Sequence, residues 1–486
     1  MATITFNKFD LGIDHRKGAA VSDANRLVEM KNAHVTTGLA TEKRPGLKKV
    51  ATLEAGTKGL FPAFGKLHTF YGGDGTITHA NELFEAHKLI CAEAEEKDTE
   101  TADETDTEPE ITYTPVHKEV TGIDFVDVFN GYLYVAAEHG EERFHHYLSG
   151  EEITQITDSQ CPHTAAVLKA ASKMFAVSPD GQTVRFSKTG DPTDWSAEED
   201  AGFLPTGLNS RGAREARALG IYQNNMVVLS RDGAQVWMID PDPTAMSLSE
   251  RVENVGSSFP QSLVTVSGDL YFLSDYGFRS ITTMQLISKL SDVDIGSPID
   301  DLVRPAIRNR TDMPKATYFY GTGKYMCAID KQVFVYSVSR TAKIAAWSRY
   351  ELPVTVDAWA ELEGELYLRS GNDVYLLDED GYTDDGQEYE VLIQIPWMNF
   401  KSPGVLKHMY GIDLAMEGEC YVSVGMDARH PDSFTGEVRI VGNTYGGGLI
   451  PLECCGTEFS FRFRNVTDQP FRLDALTVYY NALGVL

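Results

Sequence analysis

Seven times between Phe64 and Gly381 the chain repeats one design: an apolar stretch, a tight turn of Gly, Asp or Asn, and a second apolar stretch. The units begin near Phe64, Phe129, Ala171, Tyr222, Val266, Thr322 and Leu362, and their starts lie 40 to 65 residues apart. A propeller blade takes about 40–50 residues, so the spacing predicts small antiparallel sheets closed into a ring. At 486 residues the chain exceeds the roughly 250–300 residues that one hydrophobic core serves. A propeller escapes that limit because it grows by adding blades. The repeats are structural rather than literal, and no WD or kelch signature recurs. From Gln387 the hairpin period lapses, but alternating runs continue from EYEVLIQIPW to FRLDALTVYY. The expected fold is therefore all-β: a β-propeller-like body over residues 51–386 and a terminal β-sandwich or platform over residues 387–486.

Charge narrows the partners. The net charge of −28 excludes general binding of nucleic acid through a basic surface, which needs clustered Lys and Arg. Residues 1–50 run the other way, at a net +4 from nine Lys/Arg and five Asp/Glu. They read as a basic arm that packs on the platform, since chain termini usually lie together at the surface. Residues 93–110 hold ten carboxylates and almost nothing apolar, the composition of a solvated insertion in the first unit. The six cysteines form no CxxC pair, and the default reading is reduced, buried thiols. The N-terminal MATITFNKFD has no apolar core of a secretory leader, and no apolar run reaches about 18 residues, so cytoplasmic synthesis and no membrane span are expected.

The motifs that resemble chemistry mostly fail on spacing. Gly321–Lys324 (GTGK) lacks the GxxxxGK[ST] of a phosphate loop and reads as a hairpin entry. Glu138–His146 (EHGEERFHH) holds three histidines but no HExxH, and a metal there would need ligands from elsewhere; it reads as a solvated loop. Asp378–Gly386 (DEDGYTDDG) lacks the closing Glu of an EF-hand and is explained by Asx turns. Ser178–Thr183 approaches the Asp-box of sialidase-like propellers but occurs once and lacks the Trp. No GxSxG appears, and nothing nominates a carboxylate pair for glycoside hydrolysis. The expectation is no enzyme, no cofactor and no metal.

Between the hairpins lie fragments that together resemble the tail nozzle (tail hub, or packaged-DNA stabilisation) proteins of short-tailed bacteriophages. They are Leu27, Asn32, Gly38 and Arg44-Pro45-Gly46; Val184-Arg185-Phe186-Ser187 and Gly190-Asp191-Pro192-Thr193-Asp194-Trp195; Gln235-Val236-Trp237; Val255-Gly256 and Pro260; Leu270-Tyr271-Phe272-Leu273-Ser274 and Gly277-Phe278-Arg279; Ala346-Trp347; and Tyr382-Thr383-Asp384-Asp385-Gly386. Their order across residues 25–386 is the specific part. The acidic insertion departs from the pattern, and the last hundred residues match only through RLDALTVYY. The resemblance implies a non-enzymatic virion protein of the tail, present as a ring of six below the portal and its adaptor. Such a ring lines or closes the DNA exit channel, retains packaged DNA, and bears a needle, plug or fibres. Double-stranded DNA would pass without sequence recognition. Lys43, Arg44, Lys48 and Lys49 are the candidates for contact with channel DNA or with a neighbouring subunit. The alternative is a carbohydrate-active or carbohydrate-binding propeller, a glycosidase or adhesin.

Overall fold

A computed structural model of the chain describes residues 2–20, 22–96, 111–208, 214–254, 256–282 and 294–485. The chain is an all-β protein whose body is a seven-bladed propeller fused to a β-sandwich. Each repeated unit forms one blade. The innermost strands are Lys58–Ala63, Gly122–Phe129, Val167–Ala170, Ala216–Tyr222, Val264–Val266, Lys315–Phe319 and Ala358–Leu362, for blades 1 to 7 in order. Each touches the next, and the seventh touches the first, so the ring is closed. Separate apolar cores fill the wedges between blades. Phe70, Leu133 and Val135 lie between blades 1 and 2. Phe175, Val228 and Trp237 lie between blades 3 and 4, and Met326, Val335 and Leu368 between blades 6 and 7. Such cores arise because both faces of each small sheet are apolar, as in Tyr-Leu-Tyr-Val-Ala-Ala of blade 2.

Two features depart from the sequence reading. The first unit is not a simple hairpin. Lys66–Tyr71 pairs in parallel with Phe84–Glu96, and residues 72–83 make the connection. Gly72 permits that path, because a Cβ there would meet the Lys118 carbonyl oxygen at 1.9 Å. Phe84–Glu96 then turns back antiparallel as Ile111–Val116, with Glu96 opposite Ile111. The expected acidic loop falls mainly on residues 97–110, outside the described residues. The second departure is the helix Asp300–Asn309, which forms despite Pro305 and buries Val303 and Ile307. Pro305 lies one turn from the helix start, so its ring opposes the carbonyl of Asp301 in the first turn rather than one deep in the helix.

The last blade is closed by the N-terminal part of the chain. Gly46–Thr52 pairs antiparallel with Asp373–Asp378, supplying the outer strand of blade 7. The segment read as a basic arm is thus divided. Residues 46–52 belong to the propeller, while Ala2–Phe6, Ala33–Val35 and Thr41–Lys43 join the terminal sheet with Val405–Glu417, Ile450–Gly456 and Arg472–Val485. The opposing sheet of the sandwich is continuous with blade 6. Glu29–Lys31 pairs with Ile344–Glu351 of that blade on one side and with Val391–Gln394 on the other, extending the sheet to nine strands. Met30, Ile412, Leu414, Val422, Phe461, Phe463 and Leu476 fill the sandwich, and their core runs on into the wedge between blades 5 and 6 through Phe278, Tyr325 and Trp347. The sandwich therefore extends outward from blade 6.

One side chain crosses the propeller axis. Pro260–Ser262, between blades 4 and 5, places Gln261 so that its Nε2 donates to the Ile123 and Asp124 carbonyls of blade 2 at 3.1 and 2.9 Å. Its Oε1 accepts from Lys315 of blade 6. Blades 2 and 6 are not neighbours in the ring, so this side chain bridges the axis.

Candidate functional site at the propeller–sandwich junction

Arg44 is the node at which the two parts meet. Its side chain is fully buried. Nη1 and Nη2 donate to the two oxygens of Asp384 at 2.8 and 2.6 Å. Nε donates to Asn32 Oδ1 at 3.0 Å, and Nη2 also reaches the Glu351 carbonyl at 3.2 Å. The guanidinium lies 3.7 Å from the centre of the Tyr389 ring, and the Tyr389 hydroxyl donates to the Arg44 carbonyl. A buried charge is costly unless paired and hydrogen-bonded, and the planar fork of arginine meets both demands. Asp384 also accepts from the Leu47 N–H at 3.2 Å, which holds the start of the closing strand.

Asn32 completes the node from the sandwich side. It adopts φ +55°, a left-handed geometry that Asn tolerates. Its Nδ2 donates to the Glu390 carbonyl at 2.7 Å, and its Oδ1 accepts from the Glu351 N–H at 2.7 Å. Gly46 is required where it stands, since a Cβ would meet the Thr383 carbonyl oxygen at 2.1 Å. A second cluster lies beside the node. The Trp347 ring stacks between Tyr336 and Phe278, with centroids at 4.6 and 4.7 Å, and Nε1 donates to the Ile295 carbonyl at 2.5 Å. Gly12 packs on the Trp347 backbone, where a Cβ would sit 2.3 Å from the carbonyl oxygen. Arg279 is held by Asp294 at 2.7 Å and Asp300 at 3.0 Å. Burial pushes the Asp294 carboxyl up to about 6 despite that cation.

Of the four cations expected to face DNA or a neighbour, two are enclosed. Arg44 is consumed by the node. Lys43 is 2 % exposed, and its Nζ donates to Asn465 Oδ1 at 3.2 Å and to the Thr467 carbonyl. Burial, with the Arg44 charge adding to it, pushes the Lys43 ammonium down to about 8. These two are corrected from surface contacts to internal ones, because the Arg-Pro-Gly turn lies inside the joint. Lys48 and Lys49 are exposed on the outer strand of blade 7, where Lys49 pairs with Asp373 at 2.9 Å.

Glu138–His146 is likewise not a solvated loop. It is a hairpin turning at Gly140-Glu141, with His139, His145 and His146 buried. Gly321–Lys324 is a hairpin entry as expected, leading into Lys324–Ile329. Near Asp378 the Asx reading stands, with the Asp380 N–H donating to Asp378 Oδ1 at 3.2 Å. Three groups of potential metal ligands occur among the described residues: Cys91 with His139 and His146, His145 with Cys161 and His163, and His68 with Glu85 and His87. The sequence offered one signal for them, because eight of the twelve histidines fall between His68 and His163. In the last group His68 Nδ1 and His87 Nε2 are 2.6 Å apart. That is a direct imidazole–imidazole hydrogen bond, too short for two nitrogens sharing a tetrahedral ion, which would lie about 3.3 Å apart.

No protein-family model matches the chain. No curated protein matches it. Among solved structures it is similar to BamB from Moraxella catarrhalis, with 12 % identity, a TM-score of 0.34, and coverage of 68 % of this chain and 97 % of that one. It is similar to Hsv2 from Kluyveromyces lactis at 10 % identity and a TM-score of 0.31, covering 50 % of this chain and 78 % of that one. An exo-β-1,3-galactanase from Phanerochaete chrysosporium, solved with galactose, matches at 11 % identity and a TM-score of 0.24, covering 73 % and 95 %. Likeness at this level leaves function to the residues themselves.

Proposed function

We propose that the chain is a tail nozzle subunit of a short-tailed bacteriophage: a structural protein that forms a ring of six below the portal and adaptor, lines or closes the DNA exit, and bears the needle, plug or fibres. One observation supports this reading above the rest. The fragments that resemble such proteins are scattered over the chain, yet many of them converge on one joint. Asn32 and Arg44 bond to each other, Arg44 is paired with Asp384, Gly46 lies against Thr383, and Phe278 stacks on Trp347. A resemblance concentrated at the contact between two bodies describes a way of building, which suits a structural part.

In this reading DNA passes between subunits, since Gln261 bridges the axis within each one. At physiological salt screening acts within about 8 Å, so only carboxylates lining the passage repel phosphate and keep DNA from sticking. Of the four candidate cations, Lys48 and Lys49 lie at the surface where a neighbour could meet them, Lys49 already paired with Asp373. The test is immunogold labelling and electron microscopy of phage particles that carry the protein, with subunit counting by mass. Six copies at the tail are expected. Absence from particles, or a stand-alone monomer that binds or cleaves sugars, would overturn the reading.

A further inference from the structure

Strand Glu142–Ser149 lies inside blade 2, so its side chains alternate between two wedges. His145 faces blade 3 and meets Cys161 and His163; His146 faces blade 1 and meets Cys91 and His139. The two groups have the same composition but different bonding. On the blade 3 side the imidazole nitrogens of His145 are both engaged. Its Nδ1 accepts from the Tyr134 hydroxyl at 2.8 Å, its Nε2 donates to the Thr164 carbonyl at 2.8 Å, and its backbone N–H donates to His163 Nδ1 at 3.0 Å. That group is a closed hydrogen-bond network and needs no ion.

The blade 1 side is not closed. Cys91, His139 and His146 are 1 %, 6 % and 0 % exposed. His146 Nδ1 makes no hydrogen bond of good geometry. Among the described residues the Phe144 backbone is the only polar group that interacts weakly with the ring besides Cys91, whose Sγ lies 3.9 Å from Nε2. Cys91 Sγ lies 3.7 Å from each ring nitrogen of His139. A buried imidazole with a poorly satisfied nitrogen is costly. The separations are instructive. With metal–sulfur and metal–nitrogen bonds of about 2.3 and 2.0–2.1 Å, a tetrahedral ion holds sulfur and nitrogen about 3.6 Å apart. Both sulfur–nitrogen separations are close to that value, and donor atoms of all three residues lie within 4.8 Å of one another.

We propose that Cys91, His139 and His146 bind a divalent transition-metal ion, zinc foremost, in the wedge between blades 1 and 2. One thiolate and two imidazoles suit zinc or copper and not magnesium or calcium. Binding forms one metal–sulfur and two metal–nitrogen bonds, and the Cys91 thiol proton leaves to solvent. His146 binds through Nε2. His139 keeps its Nδ1 hydrogen bond to the Glu119 carbonyl, now 3.1 Å, and turns its ring so that Nε2 rather than the ring edge faces the sulfur. Water takes the fourth position. The site joins two blades. Cys91 belongs to blade 1 and both histidines to blade 2, whose strands, among the described residues, also pair directly at Ile153 with Leu89 and Thr154 with Ile90. The ion is a staple for that seam.

The full-length protein, stripped with chelator, is titrated with cobalt(II) and with zinc, following the thiolate-to-cobalt absorption band and the melting temperature. One equivalent should give the band, zinc should displace cobalt, and zinc should raise the melting temperature. Cys91→Ser should abolish the band. His139→Gln, which leaves the thiol in place, should weaken binding at least the roughly 10–100-fold expected for lost support of a site. Cys161→Ser should change neither readout. Folding of each variant is checked by circular dichroism, and if Cys91→Ser does not fold, His139→Gln alone decides between the two outcomes. No cobalt–thiolate band in the wild type, or unchanged binding in a folded Cys91→Ser or His139→Gln, overturns the proposal.

Discussion

Blades 5 to 7 and blades 1 to 3 follow the same plan, yet they are held together by different chemistry. On the sandwich side one continuous core joins blades 5 and 6 to both terminal sheets, and several enclosed cations there meet carboxylates: buried Arg44 with Asp384, buried Arg279 with Asp294 and Asp300, and half-buried Arg349 with Glu29. On the opposite side each wedge has its own smaller core, and neutral imidazoles and thiols are prominent among its buried polar groups, beside one ion pair of blade 3, Lys173 with Asp200. Paired buried ions punish any other arrangement of their partners, so they fix one geometry for the joint. Neutral histidines fix less and remain open to protons. The joint is therefore expected to be the more rigid side of the ring, and blades 1 to 3 the more adjustable side.

Arg44 is where the rigid side is most vulnerable. Arg44→Ala leaves the Asp384 carboxylate and Asn32 buried without their partner, and an expected loss of about 3–5 kcal/mol should appear in chemical denaturation. The sandwich should then unfold apart from the propeller, read by Trp397 in the sandwich against Trp195 in blade 3. A loss below about 1 kcal/mol would show that the node does not hold the joint. Trp347→Ala removes the ring stacked between Tyr336 and Phe278, and about 3–5 kcal/mol is again expected at a core aromatic, with the lower end favoured if the neighbours close in.

Acid should expose the other side. Burial lowers His145 to about 3 and His87 and His163 to about 4, and it holds His146 well below its ordinary value. The unfolded chain takes up these protons near pH 6.5 while the folded chain resists them. Stability from these groups is therefore full above about pH 6.5 and is lost as pH falls toward 4. Each histidine contributes up to about 1.4 kcal/mol per pH unit in that window. Asp294 works in the opposite sense, because its raised carboxyl favours the folded state at low pH. Urea midpoints at pH 7, 5.5 and 4.5 check this, and a flat profile would remove the distinction between the two sides. The smallest effects belong to the surface. Lys48→Ala and Lys49→Ala should leave the melting temperature unchanged, while weakening any subunit contact seen by mass measurement of the assembled ring. Replacing residues 97–110 with a two-residue turn should likewise spare stability, since Glu96 already stands opposite Ile111.

The blades are legible in the sequence because their evidence is local. Val, Leu and Tyr flank turns such as Asn130-Gly131, and a hairpin needs only neighbours in sequence. The closing strand is not legible, because Gly46 pairs with Asp378 far along the chain. Arg44 reads as a surface residue for the same reason: charged residues are usually exposed, and only its distant partner Asp384 makes its burial tolerable. Glu138–His146 misleads through its composition. Strand alternation turns its histidines inward, and Cys91 reaches them from another blade.

Native-state hydrogen exchange, followed by mass spectrometry, tests the two-sided construction most directly. Peptides from Val405–Glu417 and Ser460–Asn465 of the sandwich should open together with Gln332–Ser339 of blade 6, at one common free energy. Peptides from Tyr132–His139 and Lys173–Val177 of blades 2 and 3 should open earlier, and earlier still at pH 5. A sandwich that exchanges on its own before blade 6, or blades 2 and 3 that outlast the joint, would contradict a rigid joint beside an adjustable ring.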